Sequence, residues 1–137
     1  MNRQDFKEIA RMRIRESKVL LADHKYSGAY YLAGYSVECA IKACIAKLTN
    51  RHDFPDKHFA NKVYSHNLED LISAAGLKLD LQNEIRTNRN FAANWSTVKD
   101  WNEKSRYEVK SDVQARDLYQ SITSRTNGIL KWIRGYW

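Results

Sequence analysis

Residues 29–48 read AYYLAGYSVECAIKACIAKL, and this stretch decides the fold. Tyr26, Ala29, Tyr30, Ala33, Val37, Ala40, Ile41, Cys44 and Leu48 recur at intervals of three and four, the period that stacks side chains on one face of an α-helix. Tyr31, Tyr35 and Ile45 add a second apolar flank, so this helix is expected to be central and packed on more than one side. Glu38, Lys42 and Lys47 interrupt the run, and each is costly at a bilayer centre; the stretch reads as a core helix and not a membrane span. Cys39 and Cys44 are turned about 140° from each other on such a helix, so they are expected to be two small buried residues and not a disulfide. Glu38 stands one turn before Lys42, which predicts an ion pair. A functional alternative puts Glu38 with Tyr31, Tyr35 and Arg89 along a polar cleft between the second and fourth helices.

Working outward, residues 3–23 carry Phe6, Ile9, Ala10, Val19, Leu20 and Leu21 among many cations, the pattern of an amphipathic first helix with a basic outer face. Residues 50–65 break the period around the single proline, Pro55, and are expected to be the longest loop. Ser65, His66 and Asn67 offer caps for a short helix over Leu68, Leu71, Ile72 and Ala75, with Gly76 suited to the left-handed position that closes it. Asp80 is read as the cap of a fourth helix whose inward stripe is Leu81, Ile85, Asn88, Ala92, Trp95 and Val98, with Phe91 beside it. Residues 102–110 have no period. Ser111 or Asp112 then caps a last helix with Leu118, Ile122, Ile129, Trp132 and Ile133 facing inward. The expected fold is all-α, an up-and-down four-helix bundle with one short additional helix, formed by residues 1–137 as one domain.

Composition agrees. A chain with 5 Gly and 1 Pro in 137 residues lacks the turn residues that an all-β fold needs, and 43% apolar content is too much for a disordered one. The formal charge is +7. It sits on the terminal helices, with nine basic against five acidic residues over 1–50 and four against two over 111–137. Arg3, Lys7, Arg11, Arg15 and Lys18 recur at helical spacing, which suits either a solvated face or a track for a phosphate backbone. The charged N-terminal stretch has no signal-peptide pattern, so a cytoplasmic location is expected.

The segments YLAGYSVECAIK and HNLEDL, with a later Trp-led stretch ending in SRY, resemble the HEPN family of prokaryotic helical domains over residues 15–107. The resemblance implies the same bundle with a short extra helix, usually a homodimer, often encoded beside a small nucleotidyltransferase as toxin and antitoxin. Many members are ribonucleases that need no metal, with a signature of Arg, usually followed by a polar residue, with four to six residues in all between the Arg and a His. Cleavage by the RNA's own 2′-hydroxyl needs a proton carrier titrating near neutrality, which is His, and a fixed cation for the phosphate, which is Arg. The matching place here is Arg89, Asn90, Phe91, Ala92, Ala93, Asn94, where Asn stands for the His. An amide does not titrate, so the acid/base function is expected to be lost while Arg86 and Arg89 still face phosphate. A second match in letters, Arg51 to His58, lies in the loop after the second helix, away from the family's active site.

The expected function is therefore a non-catalytic HEPN protein that binds RNA, a nucleotide or a nucleotidyltransferase partner. Its ligand-binding candidates are Arg86, Arg89, Asn90, Asn94, Glu38, Tyr35, Arg106 and Tyr107, the last two with Trp95 and Trp101 as stacking surfaces for bases. The enzyme-class alternative is a ribonuclease toxin using Arg51 and His58, or His66; a third reading is a helical protein-interaction module. No cofactor is expected. His52, His58 and His66 with Asp53 and Asp56 lack ligand spacing, so no metal is expected either.

Overall fold

Asn2 opens the first helix through a capping box with Asp5, its side chain accepting from the Asp5 amide while Asp5 accepts from the Asn2 amide, both at 2.9 Å. From there the computed structural model describes residues 1–49 and 61–137. Among these every regular element is helical: α1 Arg3–Ala22, α2 Tyr26–Leu48, α3 Leu68–Ala74, α4 Lys78–Thr87, α5 Arg89–Val98, a 3-10 turn Glu103–Tyr107, α6 Asp112–Thr123 and α7 Ile129–Arg134. The result is the expected helical bundle. None of these helices is long and apolar enough to cross a membrane.

Twelve of the 23 residues of α2 are buried, and it packs against α1, α3, α6, α7 and the 3-10 turn. Small residues make this possible. Ala29, Ala33, Gly34, Ser36, Ala40 and Ala43 let neighbouring backbones come close, and the buried hydroxyl of Ser17 on α1 donates to the Ala29 carbonyl at 2.8 Å. Val37, Ile41, Cys44 and Ile45 join Leu68, Leu71 and Ile72 of α3, Phe91, Trp95 and Val98 of α5, Leu118 and Ile122 of α6, and Ile129, Leu130 and Ile133 of α7 in one core. Leu21, Ala29 and Ala115 form a smaller cluster where α1, α2 and α6 meet. Cys39 and Cys44 are both free and buried. Val19, placed on the apolar face by its sequence, is 66% exposed.

Three sequence expectations need correction. The fourth helix is two helices. Asn88, read as part of an inward stripe, has extended backbone and closes α4 while opening α5: its amide donates to the Glu84 carbonyl at 2.9 Å, and its side-chain oxygen accepts from the Phe91 amide at 3.1 Å. Asn competes with the helix for its own backbone bonds and so favours a cap. Asp80 is not the cap of α4, which begins at Lys78; it lies in the first turn, where a carboxylate favours the helix dipole. The last helix is also broken, between Thr123 and Ile129. The Gly128 amide reaches back to the Ser124 carbonyl at 3.0 Å, and a Cβ at Gly128 would come within 2.4 Å of that oxygen, so the reversal excludes any side chain there. The expected Ser111 cap is present as a box with Gln114, and Gly76 takes φ 72 after α3.

Candidate functional site

Two polar clusters contain the described candidates, and they lie on different elements. The first is built on α2. Tyr31 and Tyr35, one turn apart, stack with ring centres 6.0 Å apart, and Tyr31 also packs on Trp101 at 6.0 Å. Trp101 reaches this position because Gly34 has no side chain; a Cβ there would lie 2.2 Å from the indole Cδ1 and Nε1. The indole is 2% exposed and its Nε1 has no hydrogen-bond partner among the described residues, and neither has the buried Ser105 hydroxyl of the 3-10 turn.

Glu38, one turn beyond Gly34, is 1% exposed. One carboxylate oxygen lies 3.4 Å from Lys42 Nζ, which is the expected ion pair; the other lies 2.8 Å from His66 Nδ1. His66 Nε2 is in turn 3.1 Å from Glu103 Oε2 of the 3-10 turn. A buried carboxylate needs such partners, because unpaired burial of its charge is far more costly than either contact is favourable. The Nδ1 contact with Glu38 is a hydrogen bond, and the Nε2 contact with Glu103 is an ion-pair contact when each ring nitrogen carries a proton. In that state it is a bridge between two carboxylates and offers no lone pair to accept a proton.

The sequence offers His66 with Ser65 and Asn67 as a cap for α3. The structure gives that role to Asn67, whose side chain accepts from the Asp70 amide at 3.0 Å. His66 is freed to tie α2 to the 3-10 turn. Burial pushes the Tyr35 phenol up to about 12, with Cys39 and Glu38 adding to the shift, and it pushes the Cys39 thiol up to about 11 with Glu38 adding. Both stay protonated near neutrality, so Cys39 is not a nucleophile. Arg106 lies over the Tyr107 ring at 4.8 Å, and Tyr107 is 78% exposed, an open cation and aromatic pair at the edge of this cluster.

The second cluster joins the two helix breaks. Asn88 Nδ2 donates to Asn127 Oδ1 at 2.9 Å and to Glu84 Oε1 at 3.1 Å, and Asn94 Nδ2 donates to the Asn127 carbonyl at 2.9 Å. Asn94 thus clamps the turn between α6 and α7. Arg89 and Asn90 are exposed in the first turn of α5, and exposed Arg86 donates to Asn83 Oδ1 at 2.7 Å. No polar contact among the described residues joins Arg89 to Glu38 or Tyr35, so the cleft that would include them is not formed by hydrogen bonds or ion pairs. Arg51, His52, Asp53, Asp56 and His58 lie outside the described residues. Among the described ones no three His, Cys, Asp or Glu side chains converge as metal ligands. Within the Glu38, His66 and Glu103 line, each carboxylate meets a different ring nitrogen, which leaves no common point for an ion.

Sequence reading missed the link from Glu38 to His66, although HNLEDL and the central helix were both singled out. The contact joins residues 28 apart, and only a buried carboxylate without enough local partners hinted that a second cation was required.

The described residues thus form a helical bundle around a polar-bridged central helix, with the expected fourth and last helices each broken and joined by three asparagines. A sequence model of the HEPN domain matches residues 4–136, and the chain belongs to the HEPN domain family. Neither a curated protein nor a solved structure matches it.

Proposed function

We propose that this HEPN protein is non-catalytic and holds RNA by its phosphates, with Arg86 and Arg89 as the cations and Asn90 beside them, acting in the cytoplasm as a homodimer with a nucleotidyltransferase antitoxin as its protein partner. The observation that carries the reading is Asn94. At the place to which the resemblance assigns the His of the family's ribonucleases stands an amide that carries no titratable proton and whose nitrogen is committed to the Asn127 carbonyl at 2.9 Å. Arg86 and Arg89, with no carboxylate within ion-pair distance among the described residues, keep their charge available for phosphate. His66 is engaged at both ring nitrogens, by Glu38 and by Glu103.

The test is incubation with a mixed single-stranded RNA pool in the presence of a chelator. Retarded but intact RNA is expected, with affinity that falls as salt rises and weakens in Arg86→Ala and Arg89→Ala variants. RNA shortened by the wild type and left intact by His58→Ala would establish the ribonuclease reading with Arg51 and His58 instead. Absence of RNA binding even at low salt would leave the interaction module.

A further inference from the structure

The polar line along α2 includes a side chain of a type that changes charge near neutrality. His66 joins three segments: the central helix through Glu38, the residues that lead into α3, and the head of the 3-10 turn through Glu103. Its ring nitrogens are not equivalent. Nδ1 makes a hydrogen bond of 2.8 Å with Glu38, whose side chain is 2% exposed, while Nε2 makes an ion-pair contact of 3.1 Å with Glu103, whose side chain is 38% exposed.

The charged and titratable groups around this ring come from four elements. From α2 there are Glu38 and Lys42, which also pairs with Glu38 at 3.4 Å, and beyond that carboxylate the Tyr35 phenol and the Cys39 thiol. From α1 there is Arg13, which acts on Cys39 and is paired with Glu16. The turn brings Glu103, Lys104 and Arg106, and the first turn of α3 brings Glu69 and Asp70. Among the described residues Glu38 and Glu103 are the carboxylates within ion-pair distance of the ring. Of all these side-chain types, only imidazole ordinarily changes charge between about pH 5 and 8. Tyr35 and Cys39, pushed up to about 12 and about 11 chiefly by burial, stay protonated across that interval.

When the ring gives up one proton, the two nitrogens compete to keep the other. The Glu38 carboxylate cannot turn to water, so stripping its donor would leave a buried charge short of a partner. Glu103 can be solvated where it stands. The proton that leaves is therefore the one on Nε2, and the lone pair it uncovers faces a carboxylate 3.1 Å away. Attraction becomes repulsion at that contact. Among the described residues it is also the one ion pair between Glu103–Tyr107 and another segment. Arg106 approaches the Tyr31 phenol at the far end of the turn, so release begins at Glu103. The Ser105 hydroxyl and the Trp101 Nε1, both buried without a partner among the described residues, gain access to water when the turn lifts, which offsets part of the packing lost.

We propose that His66 is a proton-operated latch: in acid it clasps the 3-10 turn to α2, and as pH rises through neutrality it releases Glu103 and loosens the turn that carries Arg106 and Tyr107. The seating of this turn sets how that guanidinium and its exposed ring are presented to solvent.

Long-range proton–nitrogen correlation of the His66 ring in the full chain, with backbone amide spectra over about pH 5 to 8, tests this. Both ring nitrogens are expected to carry protons at the acid end. At the alkaline end Nδ1 should keep its proton and Nε2 should be bare. The amides of residues 103–107 should shift with the same midpoint as the ring, and their exchange protection, corrected for the intrinsic effect of pH, should fall at least about threefold. Glu103→Gln changes a half-exposed side chain and supplies an amide that can accept from a protonated Nε2 and donate to a bare one. In that variant the ring should still titrate to the Nδ1–H form while the turn amides no longer follow it. A neutral ring protonated at Nε2 overturns the proposal, as do turn amides that ignore pH in the wild type or that respond equally in Glu103→Gln.

Discussion

Gly34→Ala is the sharpest test of how the central helix holds its neighbours. In an ordinary helix interior this change is stabilising by about 1 kcal/mol, because alanine restricts the unfolded chain and favours the helix. Here the new Cβ would lie 2.2 Å from Trp101 Cδ1 and Nε1 and 2.3 Å from Cδ2. Carbon atoms in contact prefer about 3.5–4.0 Å, so the ring must move by more than about 1 Å. It has nowhere easy to go, since it is buried and stacked on Tyr31. Overpacking of this kind costs about 1–3 kcal/mol, and a rigid ring places it at the upper end. The net expectation is a loss of about 2 kcal/mol, which for a domain of this size lowers Tm by roughly 6–10 °C. Thermal and urea unfolding followed by far-UV circular dichroism measure it, with near-UV dichroism reporting the displaced indole. A Tm equal to or above wild type would refute the contact. The Trp101→Leu background gives a second check: there Gly34→Ala should be neutral or stabilising, and strict additivity of the two changes would show that the ring is not the cause.

Glu38→Ala should cost about 2–4 kcal/mol in urea unfolding, somewhat below a fully buried pair because His66 and Lys42 reach solvent, while Glu38→Gln should lose less by keeping an acceptor for His66. A cost below about 0.5 kcal/mol for the alanine variant would mean that the bridge to Glu103 holds nothing together. Alkaline pH should also destabilise the fold. The Cys39 and Cys44 thiols are pushed from 9.0 up to about 11, and Tyr35 from 10.0 up to about 12, all chiefly by burial. The unfolded chain therefore loses these protons first and binds fewer than the native state, so stability is fully present below pH 9 and falls as pH rises toward 11 and 12. Tm should drop between pH 8.5 and 11, less so in a Cys39→Ala/Cys44→Ala variant; a flat Tm over that interval contradicts the burial of these groups.

The local elements were legible in the residues themselves. The period of residues 29–48 already placed a helix apolar on most sides, and the pairing of Glu38 with Lys42 followed from their spacing. Asn67, Ser111 and Gly76 stand where cap chemistry leads one to expect them. The breaks were not legible, because a three-and-four pattern runs through a single extended residue without losing phase. Leu81 and Ile85 precede Asn88 and Phe91 and Trp95 follow it as though one helix continued. Asn94 shows the same limit for function: its identity says that no proton carrier stands there, but its commitment to Asn127 depends on a turn 33 residues away.

Sequence alone determined the fold class, the family resemblance and the amount of positive charge, because periodicity, caps and composition are properties of neighbouring residues. Tertiary structure decided where that charge works and what the polar groups do. Arg3, Lys7 and Arg11 are drawn to Trp137, while Arg15 and Lys18 meet Arg125, Lys131 and Arg134 across one groove. Glu38 finds His66 and Glu103 from two other segments. Such groupings follow from which helix faces pack together, and that depends on shape complementarity summed over the whole core.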